Sequence, residues 1–190
     1  MSENSQPKYR VARFLLSLLC FAAFCGSADA WSDWSHKYND AKPISGERDY
    51  ILRIFDFYSQ LEQNFEKDGG EQRSRDLVED YTEVISLPAC ARCVKLLNHG
   101  HDIELMLAYF RLLQFTQNSA EESFSLYLGD IFVANPRLVE DAFPKLTPEQ
   151  QCIGYAQLEW GFDNVTYGKK PTAATKYLQE RLNHLKPSCK

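Results

Sequence analysis

Apolar side chains recur every three or four positions along most of this chain, and the recurrence is interrupted at short intervals by capping and breaking residues. Ile51, Ile54, Phe55, Tyr58, Leu61 and Phe65 fall on one face of a helix, with Ser45 placed to cap it and Asp68-Gly69-Gly70 to stop it. Leu77, Val78, Tyr81, Val84 and Ile85 predict a second helix that ends at Leu87-Pro88, and a third runs from about Ala89 to Asn98 before Gly100. The fourth, from Asp102 to about Thr116, is apolar on nearly every side, leaving Glu104, Ala108 and Arg111 as the stripe that water can reach. That pattern marks a central, buried helix.

The later helices announce their starts. Ser119 with Glu122 fits a capping box, and Asn135-Pro136 and Thr147-Pro148 each set a capping side chain before a proline at the first helical position. Gln150 completes the box begun by Thr147. These three helices are expected to bury Phe124, Tyr127, Leu128, Ile131 and Phe132; then Leu138, Val139, Ala142 and Phe143; then Ile153, Ala156 and Trp160. A last helix near Thr172 to Leu185 carries Ala174, Tyr177, Leu178, Leu182 and Leu185. No alternating strand pattern stands out. The expected fold is all-α: about eight helices in successive antiparallel hairpins, forming either a closed bundle or a short superhelix that resembles HEAT-type repeats.

The amino terminus has a different pattern. Lys8, Arg10 and Arg13 precede an apolar run from Phe14 to Cys25, and Ala28-Asp29-Ala30 follows. This is the layout of a cleavable secretory signal over residues 1–30, cut between Ala30 and Trp31. The apolar run is shorter than the roughly 20 residues of a spanning helix. Neither Cys20 nor Cys25 follows the small residue a lipoprotein site needs. A polar segment, 31–45, then leads into a single helical domain, 46–190, and the product is expected to be periplasmic or secreted with no stable membrane span.

Processing changes the composition. Of 21 basic and 26 acidic residues the signal removes three and two, so the 160 that remain carry a net charge near −6. No cluster of Lys or Arg is present to displace phosphate counterions, which argues against nucleic acid as a partner. The cysteines fall from six to four: Cys90, Cys93, Cys152 and Cys189. An even number in an oxidising compartment predicts two disulfides, with three connectivities open. In an antiparallel hairpin the start of one helix lies beside the end of the next, so Cys152 is expected to meet Cys189, leaving Cys90 with Cys93. The alternative joins Cys90 or Cys93 to a distal cysteine.

Cys90-Ala91-Arg92-Cys93, at the expected start of the third helix, is also the sharpest candidate for chemistry, because a helix N-terminus stabilises thiolate. It lacks the βαβ setting usual for thiol–disulfide oxidoreductases. Val94 stands where haem attachment needs His, and a zinc site using His99 and His101 has unusual spacing. HExxH, G-x-S-x-G, P-loop and dinucleotide-glycine signatures are absent. His36, His99, His101 and His184 fall in expected loops or on the terminal helix, and Glu121-Glu122 and Glu140-Asp141 sit in first turns or on polar faces, where dipole and solubility roles suffice. No cofactor is implied. Asn164-Val165-Thr166 is a glycosylation sequon in an expected loop.

Two short stretches resemble known families. Trp31-Ser32-Asp33-Trp34-Ser35 resembles the WSxWS box of cytokine receptors, which belongs to a β-sandwich and here opens a helical chain. Cys152-Ile153-Gly154-Tyr155 resembles the cysteine-glycine-tyrosine stretch of small periplasmic immunity proteins that neutralise cell-wall amidases. The leading expectation is an exported, non-catalytic binding or adaptor protein engaging another extracytoplasmic protein, as an inhibitor or immunity factor. The alternative is an envelope thiol–disulfide oxidoreductase using Cys90 and Cys93.

Overall fold

The computed structural model describes residues 46–67, 78–79, 81–116 and 121–189. All of them belong to one compact unit, Ile44–Lys190. The signal, Ala30, Trp31, Trp34, His36, and the stop and cap signals at Ser45, Asp68-Gly69-Gly70 and Ser119 lie outside the described residues. Within them the chain is helical with no strand. The α-helices are α1 (Glu47–Lys67), α2 (Leu87–His99), α3 (Ile103–Leu113), α4 (Ser123–Ala134), α5 (Pro136–Ala142), α6 (Pro148–Thr166) and α7 (Ala173–His184). A π turn, Thr82–Ser86, precedes α2, and a 3-10 turn, Phe143–Lys145, follows α5.

α3 is the hub, as its all-round apolar pattern implies. Leu105, Met106, Ala108, Tyr109, Phe110, Leu112 and Leu113 are all buried. Leu107 rather than Ala108 is the half-buried position; both lie beside Glu104 and Arg111 at helical spacing, and the way α3 is turned toward its neighbours decides between them. Asp102 caps the helix, its Oδ1 accepting from Leu105 N–H at 2.9 Å. α1 lies along α3 in the same direction: Arg48 meets Asp102 and Phe55 meets Tyr109, with ring centroids 5.7 Å apart. α2 runs the other way, setting Arg92 over the Tyr50 ring at 5.9 Å while Tyr81, upstream of the π turn, packs on Tyr58 and Phe57.

The expected break at Leu87-Pro88 does not occur. Helical backbone continues from Tyr81 through the π turn into α2, with Ser86 and Leu87 both right-handed and Leu87 N–H reaching Thr82 O. Proline has no N–H to give to the preceding turn, and the widened turn just upstream absorbs that loss. The second and third expected helices therefore merge among the described residues.

α4 and α6 make the tightest helix crossing. A Cβ on Gly161 would lie 1.9 Å from the Ser125 carbonyl oxygen, and one on Gly129 would lie 2.5 Å from the Gly161 backbone. Only glycine at both positions lets the two backbones touch. This crossing fixes the roll of α6. It buries Gly154, Tyr155, Leu158, Gly161 and Phe162, while Ile153 and Trp160 are half-buried and Ala156 is exposed. The expected inner face of α6 is therefore its outer one. α7 differs similarly: Leu178 and Leu182 are buried as expected, but Ala174 and Tyr177 are exposed.

The caps hold where they are described. Asn135 Oδ1 accepts from Leu138 N–H at the start of α5, and its Nδ2 donates to the Leu97 and Gly100 carbonyls at 2.8 Å, tying α5 to the end of α2. Thr147 and Gln150 form the anticipated box, and Thr172 with Thr175 forms another. α4 begins at Ser123, later than the Ser119 signal implies, with Glu121 Oε1 accepting from Ser123 N–H at 2.8 Å.

Candidate functional site

Three places bear on function: the Cys90/Cys93 pair, the Cys152/Cys189 pair, and the outer junction of α4 with α6. Cys90 and Cys93 are free thiols with no exposed surface. The expected Cys90–Cys93 disulfide is absent from the structure. Because helical backbone runs in from Tyr81, Cys90 is not at a free helix N-terminus and gains no dipole stabilisation of a thiolate. It sits against the hub instead. Tyr109 donates from its hydroxyl to the Phe124 carbonyl at 2.8 Å, and its oxygen meets the Cys90 thiol. Burial pushes both thiols well up, with Cys93 adding to the effect on Cys90 and Asp102 to that on Cys93. Such thiols stay protonated and poorly nucleophilic. Ser86, one turn before Cys90, is also fully buried, with no hydrogen-bond partner for its hydroxyl.

Cys152 and Cys189 stand at disulfide distance, S–S 2.25 Å and Cα–Cα 5.7 Å, as the hairpin argument anticipates. The bond joins the first turns of α6 to the tail beyond α7. Around it, Arg181 of α7 makes a two-pronged pair with Glu140 of α5, and Lys186 stands over the Tyr155 ring at 6.0 Å. Partial burial, with Glu159 accepting its hydroxyl proton at 3.1 Å, raises Tyr155 to about 12. The Cys152-Ile153-Gly154-Tyr155 stretch is thus a structural corner: a disulfide, a glycine against the Phe110 ring and a covered tyrosine.

At the α4–α6 junction, Ser125, Ile153, Ala156, Gln157 and Trp160 line an open cleft of about 260 Å³. Ser125 donates to Gln157 Oε1 at 2.7 Å, and Gln157 Nε2 donates to the Leu113 carbonyl at 3.0 Å, so the floor is braced from both sides. The volume is below the roughly 300–1,000 Å³ of cofactor and drug-sized clefts, and suits one or two side chains.

The other candidates are dispersed. His99, His101 and His184 are exposed, with His101 Nε2 at 3.3 Å from Asp141 Oδ2. Among the described residues no three His, Cys, Asp or Glu side chains gather as a metal site requires, and no helix is long and apolar enough to cross a membrane. Asn164 is exposed in the last turn of α6 rather than in a loop, its Nδ2 donating to the Trp160 carbonyl at 2.8 Å. The cleft is the feature the apolar periodicity misses. Its sequence signal is the lack of any lysine or arginine from Glu121 to Pro136 and from Leu146 to Gly168. Compared with known proteins, the chain matches no family model, no curated protein and no solved structure.

Proposed function

We propose that this chain is an exported helical protein that works by binding another protein outside the cytoplasm, as an inhibitor or immunity factor would, and performs no reaction itself. The observation that carries this reading is the sealing of Cys90 and Cys93, the sharpest candidate for chemistry, inside the core with protonated thiols. A redox pair needs an accessible thiolate, and neither requirement is favoured here. The Cys152–Cys189 pair is in keeping with an oxidising compartment, and the signal-like residues 1–30 with export. The fixed offset of 54 residues between Arg48 and Asp102 and between Phe55 and Tyr109 supports stacked hairpins, which offer long outer helix faces.

Cell fractionation with amino-terminal sequencing tests export: the product is expected outside the cytoplasm, beginning at Trp31. Cross-linking in that compartment is expected to trap one protein reproducibly. Insulin reduction is expected to be nil; activity that Cys93→Ser abolishes while the fold survives would overturn this reading in favour of a thiol–disulfide oxidoreductase.

A further inference from the structure

The α4–α6 cleft continues into a longer apolar surface. Ile153 and Trp160, seven residues apart, share one line of α6, and Tyr167, just past the end of that helix, is 86% exposed. Across the cleft, Leu126 and Val133 stand one turn before and one turn after Gly129, on the same side of α4, half-buried and exposed respectively. The charged residues of the two stretches that form this surface have a single sign. Glu121, Glu122 and Asp130 lie on or beside α4, and Glu149, Glu159 and Asp163 on α6. Glu122 is one turn from Ser125, Glu149 one turn from Ile153, and Asp163 one turn from Trp160.

Helix stability accounts for only part of this. Acids in a first turn suit the helix dipole, but Asp163 is near the C-terminus of α6, where the dipole favours cations. Neither α4 nor α6 has a basic residue in its last turn. Lys169, whose Nζ donates to the Val165 carbonyl, bounds the surface at that end.

We infer that the α4–α6 cleft receives a cationic amphipathic helix of the partner protein, one apolar side chain seated beside Trp160 and Lys or Arg one turn to either side facing Glu122, Glu149 and Asp163. This rests on the binding role proposed above and names the chemistry of the partner. A second copy of the chain is the poorer occupant, because a net charge of −5 opposes self-association. The apolar anchor supplies affinity and the acid rim supplies partner choice and encounter rate.

Two synthetic helical peptides with the same leucine spacing, one with lysine and one with glutamate at the polar positions, test the inference on the full chain by nuclear magnetic resonance titration. The lysine peptide is expected to shift the Trp160 indole and Gln157 amide signals and to bind at least about tenfold more tightly than the glutamate peptide, with the margin shrinking as salt rises. Ala156→Arg, at an exposed helical position, is expected to abolish the shifts, and Lys176→Glu on α7 to leave them intact. Charge reversal by Glu149→Lys with Asp163→Lys is expected to invert the peptide preference. Equal binding of both peptides, shifts elsewhere, or concentration-dependent self-association through these residues would overturn the inference. A cross-linked partner retained by Ala156→Arg removes the cleft and leaves the binding role standing. No partner for either form, with the lysine peptide still seated, removes the binding role and leaves the cleft.

Discussion

The two cysteine pairs are held in opposite ways. Cys90 and Cys93 sit where helices α1, α2 and α3 converge, among side chains with almost no exposed surface, and they remain thiols. Cys152 and Cys189 are at the margin, where α7 buries only Leu178 and Leu182 and most of its other residues face water. The covalent link lies where apolar burial is thin and is missing where burial is dense. Hydrophobic burial contributes about 25 cal/mol per Å² of apolar area, so the core around Tyr109 needs no staple. A twelve-residue helix with two buried leucines does.

The difference can be attacked from both sides. On the packed side, Gly161→Ala drives a methyl group into the Ser125 carbonyl and is expected to destabilise by about 4 kcal/mol or to prevent folding, read by urea unfolding. On the stapled side, Cys152→Ser with Cys189→Ser is expected to lower stability by up to about 4 kcal/mol for its 37-residue loop. Hydrogen exchange should place that loss in α7 and leave α3 protected. A reductant should reproduce this effect in the parent chain and in Cys90→Ala/Cys93→Ala, and have none on the double serine variant. Equal sensitivity at both pairs would erase the distinction.

Smaller effects sharpen it. Tyr109→Phe removes the donor to the Phe124 carbonyl and the oxygen that meets Cys90, and is expected to reduce stability by about 1–2 kcal/mol in thermal unfolding. Arg181→Ala breaks the pair with Glu140 at the margin and should change stability by less than about 1 kcal/mol, since both side chains retain contact with water. Least of all is the acid effect at Asp102. The hydrogen bond from Arg48 holds its carboxyl below the usual aspartate range. Its contribution is therefore complete above the ordinary aspartate pKa of about 3.9 and disappears as pH falls through the lower folded value. Asp102→Asn keeps the cap and should flatten that stretch of the stability–pH curve.

What could be seen in the sequence divides along the same lines. The inner face of α1, the central role of α3, the Asn135-Pro136 and Thr147-Pro148 starts and the Cys152–Cys189 contact all follow from spacing and capping chemistry, which act within a turn or across one hairpin. The roll of α6 does not. Ile153, Ala156 and Trp160 on one side and Tyr155, Leu158 and Phe162 on the other are equally apolar. The choice belongs to Gly129 and Gly161, which are distant in sequence and touch only in the fold. Pro88 misleads for a related reason: a proline after an apolar run reads as a stop, and only a π turn upstream lets the helix pass through it. Placing Cys90 at a helix start followed from that stop, and the expectation of a reactive thiol followed from the placement.

That π turn also has a bearing on how the chain can change length. Five residues where an α-helix would use fewer amount to one surplus residue, held between Thr82 and Ser86. Deleting one of them would leave the two flanks nearly in register, whereas winding all five as ordinary α-helix would, at about 100° per residue, swing everything upstream around the helix axis by about that angle. Tyr81 would leave its place against Phe57 and Tyr58, while Cys90, Cys93 and Leu97 kept theirs. The widened turn thus works as a phase adjuster, setting the angular register between the Tyr81 stretch and α2.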